Sequence, residues 1–112
     1  MTQRDPVLAL QHMRDHAAEA VGLAARRKRR DLDTDRVLLL ALTKLVEIVG
    51  EAANRVPAEY QARHPTIAWA DIVSFRNRLT HGYDDVDRDV LWASLGEDLP
   101  DLVKRLDKIL KA

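Results

Sequence analysis

Cysteine is absent from the 112 residues of this chain. Its absence excludes disulfide bonds, thiolate metal sites and cysteine nucleophiles together. Glycine and proline are scarce, with four of each, which is too few for an all-β chain with many tight turns. No apolar run approaches membrane-spanning length, since the longest covers only residues 37–42. The N-terminus also lacks an apolar signal core, so we expect a cytoplasmic protein with no membrane association.

An excess of positive charge is lacking as well. The chain has 18 basic and 18 acidic side chains and a formal net charge of zero, so no fold-wide field attracts nucleic acid. Contact with nucleic acid must then come from a local cluster, and one such cluster runs from Arg26 to Arg30. This basic run falls at the end of the first predicted helix. It could complement the helix dipole there, hold RNA phosphates or bind an acidic partner surface, and the sequence leaves these alternatives open.

Apolar side chains, in contrast, are plentiful. They make up 46% of the chain, enough for a packed core, and they recur at helical spacing almost throughout. We therefore predict one domain over residues 1–112 with an all-α fold, an up-and-down bundle of four main helices plus one short helix. The predicted helices begin at Asp5–Pro6, run from Thr34 to Val56, cover Ala58 to Ala62, run from Trp69 to about Thr80, and begin again near Asp85–Asp87, with a kink or break at Pro100.

The helix predicted from Thr34 to Val56 has three unusual features. Its first half is apolar on nearly every side, as in a helix that is deeply buried or faces a partner. Gly50 lies mid-helix, where glycine costs roughly 1 kcal/mol relative to alanine, and close approach of another backbone would explain it. Glu51 could orient an arginine of a nearby site or could simply face solvent. It belongs to a polar stripe that consists of Thr43, Glu47, Glu51 and Asn54.

The segment most suited to chemistry lies between residues 74 and 83 and contains the pattern R-x4-H-x-Y. A neutral imidazole, here that of His81, can take a proton from a ribose 2′-hydroxyl. A guanidinium, here that of Arg76, can hold and neutralise a phosphate through two parallel hydrogen bonds. Such a pair suits cleavage of RNA without a metal. The spacing alone is a weak signal, because a surface arginine and a capping histidine also produce it.

Helix geometry complicates this pair. Five residues rotate about 140° on an ideal helix, so Arg76 and His81 would not share a face. Asn77 and Arg78, which precede His81 by four and three residues, would share its face, and Arg78 is therefore a candidate for phosphate contact. Either the helix loosens before Gly82, or a second subunit completes the site across a two-fold axis.

Several short motifs follow one another in a fixed order along the chain. With these motifs the sequence resembles the HepT-like family of the HEPN superfamily, over about residues 5 to 110. Val49 and Ala68 replace an isoleucine and a proline that are frequent in the family, and neither departure touches the R-x4-H-x-Y pattern. The motifs that carry the resemblance are residues 48–53, 67–69, 76–83, 86–87 and 98–100.

The resemblance implies a homodimeric endoribonuclease that needs neither a metal nor another cofactor and is the toxin of a toxin–antitoxin pair. It implies that Arg76 and His81 are catalytic, that Asn77 helps to shape the site, and that the substrate is RNA such as tRNA or mRNA. It also implies a nucleotidyltransferase antitoxin that neutralises the toxin by binding it, by transferring AMP to Tyr83, or both. An added AMP would bring bulk and negative charge next to Arg76.

Other interpretations remain open at this point. The chain could be a catalytically silent subunit that binds nucleotide or RNA and assists a nucleotidyltransferase, or a structural adaptor. Tyr83 could simply pack its ring on the last helix. His12 and His16 lie four residues apart and could bind a metal, although two further ligands are not evident in the sequence.

Overall fold

The computed structural model describes residues 5–80 and 85–111 of the chain. A five-residue π-helical segment, Ser94–Asp98, joins the last two α-helices without a break. Within the described residues the one strand-like pairing is an isolated antiparallel bridge between Thr80 and Val86, so the predicted all-α fold is confirmed. The α-helices are α1 (Pro6–Ala24), α2 (Asp31–Thr34), α3 (Arg36–Asn54), α4 (Ala58–Ala62), α5 (Trp69–Leu79), α6 (Arg88–Ala93) and α7 (Leu99–Lys111).

Helix α1 begins where its capping signals predicted. The side chain of Asp5 accepts a hydrogen bond from the Val7 N–H at 2.9 Å, and Pro6 occupies the first turn, where a missing N–H costs no intrahelical bond. The helix ends at Ala24, and its last turn holds no basic side chain. The cations of the basic run therefore do not lie in that last turn as predicted, because the helix stops before it reaches them.

Helix α3 lies at the centre of the bundle, with α1 packed on one side and α5 on another. The side chain of Asp35 caps it by accepting a hydrogen bond from the Leu38 N–H at 3.0 Å. Its inner stripe is apolar, and Leu42 and Ala53 are fully buried. Burial of such a stripe, rather than helix propensity, supplies most of the stability of a helix in a protein.

The backbones of α3 and α5 approach each other closely at Gly50. A Cβ atom added there would lie 3.3 Å from the carbonyl oxygen of Ile72, which is tighter than ordinary van der Waals contact. The predicted close approach of another backbone at Gly50 is confirmed. Trp69 fixes the other end of α5, because its indole N–H donates to the carbonyl oxygens of Gln61 (3.1 Å) and His64 (3.0 Å).

The last helical region changes from α- to π-helical geometry and back just before Pro100, where the sequence predicts a kink or break, and it continues without a gap. Pro100 has no N–H to donate to the carbonyl oxygen of Gly96 four residues earlier, and the π-helical segment immediately precedes the start of α7. The hydroxyl of Ser94 is buried and donates to the Leu91 carbonyl oxygen at 2.8 Å. Beyond this change of geometry α7 packs along α1 and closes the core.

None of the helices in the described part of the chain has both the length and the apolar content needed to cross a bilayer.

Candidate active site

Helix α5 stops at Leu79. Thr80 has extended backbone angles (φ −117°, ψ 134°), and both its N–H and its hydroxyl donate to the carbonyl oxygen of Arg76 at 3.0 Å. Thr80 also forms the antiparallel bridge with Val86, and the Asp87 N–H donates to the Leu79 carbonyl oxygen at 2.7 Å. The backbone just before residue 81 and the backbone just after residue 85 are thereby tied to each other at the C-terminus of α5.

His81 and Tyr83, the two residues on which the strongest chemical predictions fall, lie outside the described residues. The backbone of Thr80 nevertheless bears on the angle between the Arg76 and His81 positions. Because the helix has ended there, the rotation of about 140° that separates the Arg76 and His81 positions on a continuous helix no longer applies. The helix end agrees with the first of the two alternatives raised by the sequence, loosening before Gly82, and completion of the site by a second subunit stays a prediction.

Arg76 lines a cleft of about 160 Å³ between α3 and α5, which we call the Arg76 cleft. Glu47, Glu51 and Asn54 line it from α3, so two carboxylates and an amide share the space with one guanidinium. In the part of the chain that the structure describes, Glu51 and Arg76 are exposed residues of the same cleft with no ion pair between them, so the orienting role of Glu51 stays a prediction. Such a carboxylate can accept hydrogen bonds from a guanidinium and fix its orientation.

The base of the Arg76 cleft is formed by Gly50 and Ile72, the pair at which the two backbones approach each other. Since a side chain at position 50 would push α5 away from α3, glycine at this position sets the width of the cleft. The sequence predicted the close approach but did not connect it to the site.

Sequence reasoning did not single out Glu47 and Asn54 as site residues. The available signal was the polar stripe, because its last three members lie three or four residues apart and share one side of α3. Thr43, the first member of the stripe, behaves differently. It is only 7% exposed, and its hydroxyl donates to the Leu39 carbonyl oxygen at 2.7 Å, so it is a satisfied core residue.

Arg78 lies on the other side of α5 from Arg76. Two residues rotate about 200° on a helix, and the Arg78 guanidinium carbon lies 4.8 Å from the centre of the Phe75 ring, within cation–π distance. Asn77 is exposed and does not line the Arg76 cleft. It also does not line a second cleft, on the other side of α5, that Arg78 lines. The predicted shared face of Asn77, Arg78 and His81 stays a prediction, because α5 ends at Leu79 and His81 lies outside the described residues.

Two cations of the basic run are engaged by aspartates. Arg27 pairs with Asp35 at 3.3 Å. Arg29 binds Asp89 at 2.7 Å and Asp33 at 3.1 Å, and its hydrogen bond with Asp89 is the main cause that raises the pKa of Arg29 above its ordinary value. The Arg29–Asp89 pair ties the connection between α1 and α2 to the first turn of α6. Three cations of the run form no ion pair within the described residues: Arg26, Lys28 and Arg30.

The histidine pair on α1 is linked within the helix. The Nδ1 atom of His16 lies 2.7 Å from the His12 carbonyl oxygen, to which it can donate a hydrogen bond. In residues 5–80 and 85–111, no group of three or more histidine, cysteine, aspartate or glutamate side chains has an arrangement that could hold a metal ion.

Comparison with known proteins identifies relatives over most of the chain. A protein of Thermococcus cleftensis named "Probable ribonuclease HepT" is 35% identical over 81 residues, which cover 72% of this chain and 74% of that protein. A protein of Caldanaerobacter subterraneus, also named as an RNase, is 32% identical over 81 residues and 72% of each chain. A Methanocaldococcus jannaschii protein named as an RNase is 22% identical over 111 residues, 99% of this chain and 92% of its own length. No solved structure matches the chain.

The family model described as "Ribonuclease HepT-like" matches residues 13–109, which include α3, α5 and the Arg76 cleft. The resemblance found in the sequence motifs is therefore confirmed, and the chain belongs to the HepT-like ribonuclease family.

Proposed function

We propose that this chain is a metal-independent endoribonuclease toxin that acts as a homodimer, with Arg76 and His81 as its catalytic pair. The observation that carries the proposal is the position of Arg76 in a polar cleft at the C-terminal end of α5, where the helix stops just before His81. Membership in the HepT-like ribonucleases supports RNA as the substrate. The cleft supports Arg76, rather than Arg78, as the arginine that meets the scissile phosphate.

In the proposed reaction the imidazole of His81 takes the proton of a ribose 2′-hydroxyl, and the freed oxygen attacks the adjacent phosphorus. The bond between phosphorus and the 5′ oxygen then breaks, and that oxygen leaves with a proton from an imidazolium. The products are a 2′,3′-cyclic phosphate and a 5′-hydroxyl. Because the nucleophile belongs to the ribose, DNA has no group that can replace it.

Arg76 stabilises the extra negative charge that develops on the phosphorane-like transition state. A guanidinium suits this role because it is always charged and presents two parallel N–H groups to two phosphate oxygens. Glu51 orients Arg76 from across the cleft, and Asn77 positions the RNA beside it. Arg78 makes a weaker, more distant contact with the RNA backbone, since it lies on the other side of α5.

Exposed apolar side chains on α3 and α5 support a homodimer. Val37 is 78% exposed and Leu40 is 50% exposed on α3, and Val73 on α5 is 37% exposed and lines the Arg76 cleft. Exposed apolar side chains are typical of a surface that meets a partner. A second copy bound there would cover these side chains and bring a second His81 near the first, so that one histidine acts as base and the other as acid.

A nucleotidyltransferase antitoxin would neutralise this site by binding it, by modifying Tyr83, or both. In the modification, the Tyr83 oxygen attacks the α-phosphorus of ATP, pyrophosphate leaves, and the phenolic proton passes to solvent. Tyr83 follows Thr80 by three residues, and Thr80 is bonded to the carbonyl oxygen of Arg76. The added phosphate would therefore compete with RNA for the Arg76 guanidinium.

The test is cleavage of an RNA oligonucleotide in the presence of EDTA, with wild type, His81→Ala and Arg76→Ala side by side. We expect wild type alone to cut, to leave a 2′,3′-cyclic phosphate, and to spare a substrate with 2′-deoxyribose at the cut site. If wild type and His81→Ala degrade RNA equally poorly, the chain is instead a silent binding subunit.

A second measurement addresses Tyr83. After co-expression with the nucleotidyltransferase, intact-mass analysis should show additions of about 329 Da per AMP on wild type and none on Tyr83→Phe. Full inhibition of an unmodified wild type would leave binding alone as the mechanism.

A further inference from the structure

A second and larger cleft, of about 540 Å³, lies on the side of α5 that faces away from Arg76. The π-helical segment and the beginning of α7 form its opposite wall. Its floor is apolar and includes Val49 of α3, Phe75 of α5 and Leu102 of α7. The volume is in the range of sites that hold ligands or the anchoring side chains of a partner.

The rim of this cleft is rich in carboxylates, so we call it the acidic cleft. Two arginines lie among them, but Arg105 is bound to Asp101 at 2.7 Å and Arg78 is stacked on Phe75. The other carboxylates form no ion pair within the described residues, and they leave the rim with an excess of negative charge above an apolar floor. They are Asp71, Glu97 and Asp98.

The π-helical segment is a second distinguishing feature of this cleft. Glu97 and Asp98 both belong to it and are exposed. π-helical turns are rare and occur frequently at functional sites, where they redirect side chains that a regular helix would space differently. RNA is a poor occupant here because its phosphates would meet the unpaired carboxylates.

We propose that the acidic cleft docks an amphipathic helix of a partner protein that presents aliphatic or aromatic side chains flanked by lysine or arginine. The cleft lies between helices and has an apolar floor, and a groove of this kind can receive the apolar face of a partner helix. The apolar side chains fill the floor, and the flanking cations pair with Glu97, Asp98 and Asp71. The site does not include the proposed catalytic pair and shares only Arg78 with the proposed RNA contacts.

The probe is a synthetic 14-residue peptide, labelled with fluorescein, that has leucine and tryptophan on one helical face and lysine and arginine beside them. Fluorescence anisotropy gives its Kd with the full chain. We expect the double variant Glu97→Gln with Asp98→Asn to raise the Kd by about tenfold or more, since it removes two opposite charges from the binding surface. The matched control removes two exposed carboxylates elsewhere, Glu19→Gln with Glu59→Gln, and should leave the Kd nearly unchanged.

A scrambled peptide of the same composition separates docking from simple charge attraction. It should bind about tenfold more weakly, because its apolar side chains no longer share one face. Amide chemical shifts measured by NMR should change at residues 71–78 and 94–105. Repeating the titration at higher ionic strength should raise the Kd of both peptides, because salt screens the charge attraction.

Four results would overturn the proposal. Both double variants could change the Kd equally, the scrambled peptide could bind as well as the ordered one, or the shift changes could fall outside the two segments. Alternatively, the shifts of the cleft could depend on protein concentration without any peptide. That result would identify a second copy of this chain as the occupant, through its exposed Leu23 and the unpaired cations Arg26, Lys28 and Arg30.

Discussion

The two clefts share α5 as a common wall, yet they differ in size and in chemistry. The Arg76 cleft holds about 160 Å³ and places one guanidinium among two carboxylates and an amide. The acidic cleft holds about 540 Å³ and has an apolar floor under a carboxylate rim. Ile72 lines both, so a single helix of 11 residues separates them.

Neighbouring residues of one motif therefore lie on different surfaces of α5. Arg76 and Arg78 are two positions apart, and the turn of the helix sends them to opposite clefts. A site for phosphate chemistry needs few groups at fixed positions, whereas a docking surface needs apolar area. The Arg76 cleft, which is small and holds one guanidinium, fits the first demand, and the larger acidic cleft fits the second through the apolar area of its floor.

The largest expected effect is the difference in kcat for RNA cleavage between the Arg76 and Arg78 variants. Arg76→Ala should lower kcat for RNA cleavage by about 10²- to 10³-fold, the range found when one group that stabilises a developing oxyanion is removed. Arg78→Ala should lower it by no more than about threefold, because a distant phosphate contact contributes little to the transition state. Single-turnover cleavage with both variants checks this, and equal losses would assign both arginines to one site.

The next effect concerns which apolar surface meets the second copy. Leu40 on α3 and Leu8 on α1 are each 50% exposed, so they form a matched pair. Leu40→Lys should raise the dimer dissociation constant by about 100-fold, since it places an unpaired ammonium in the interface. Leu8→Lys should leave it within a factor of about three, as for an ordinary surface substitution. Sedimentation equilibrium measures both constants, and dissociation caused by Leu8→Lys instead would move the interface to α1.

A smaller effect tests the carboxylates of the two clefts. If Glu51 orients Arg76 as proposed, Glu51→Gln should lower kcat by about tenfold, because it removes the negative charge that would hold the guanidinium in place. Glu97→Gln, which removes the same charge from the acidic cleft, should leave cleavage unchanged. The Arg76→Ala and Glu51→Gln double variant should be no worse than Arg76→Ala alone if the carboxylate acts through that arginine. Additive losses would show that Glu51 acts independently of Arg76.

The smallest expected effect is a difference in folding stability between variants at two helical glycines. Gly22 has no atom within 4 Å of the place where a Cβ would stand, whereas a Cβ at Gly50 would meet the Ile72 carbonyl oxygen at 3.3 Å. Gly22→Ala should therefore stabilise the fold by up to about 1 kcal/mol, and Gly50→Ala should gain less. Gly50→Val should cost about 1–3 kcal/mol through overpacking. Urea unfolding at one protein concentration measures all three, and equal gains for both alanine variants would contradict the close approach.

Local sequence signals predicted much of the fold. Asp5 and Pro6 marked the start of α1, Gly50 marked the meeting of two backbones, and Pro100 marked the change of geometry in the last helical region. Each of these residues acts through its own covalent chemistry, as a cap acceptor, a missing side chain or a missing N–H. Short-range physics of this kind is visible in a single sequence.

The parts that the sequence did not predict depend on tertiary contacts. Helix α5 ends one residue earlier than predicted because Thr80 pairs with Val86, and the pattern of residues 69–80 contains no record of that partner. The acidic cleft joins residues from α3, α5, the π-helical segment and α7, so no single segment of the sequence predicts it. The motif singled out Arg76 as a candidate, and the residues that line the cleft with it became visible only in three dimensions.

The bridge between Thr80 and Val86 also has a consequence for how such an enzyme can change. The five residues between them begin and end at one fixed clasp, and hydrogen bonds on both sides attach that clasp to the end of α5. A segment held in this way can be exchanged for one of another length or composition with little disturbance to the bundle, since loop length itself costs little stability. The clasp thus uncouples the positions of α5 and α6 from the length of the chain that joins them.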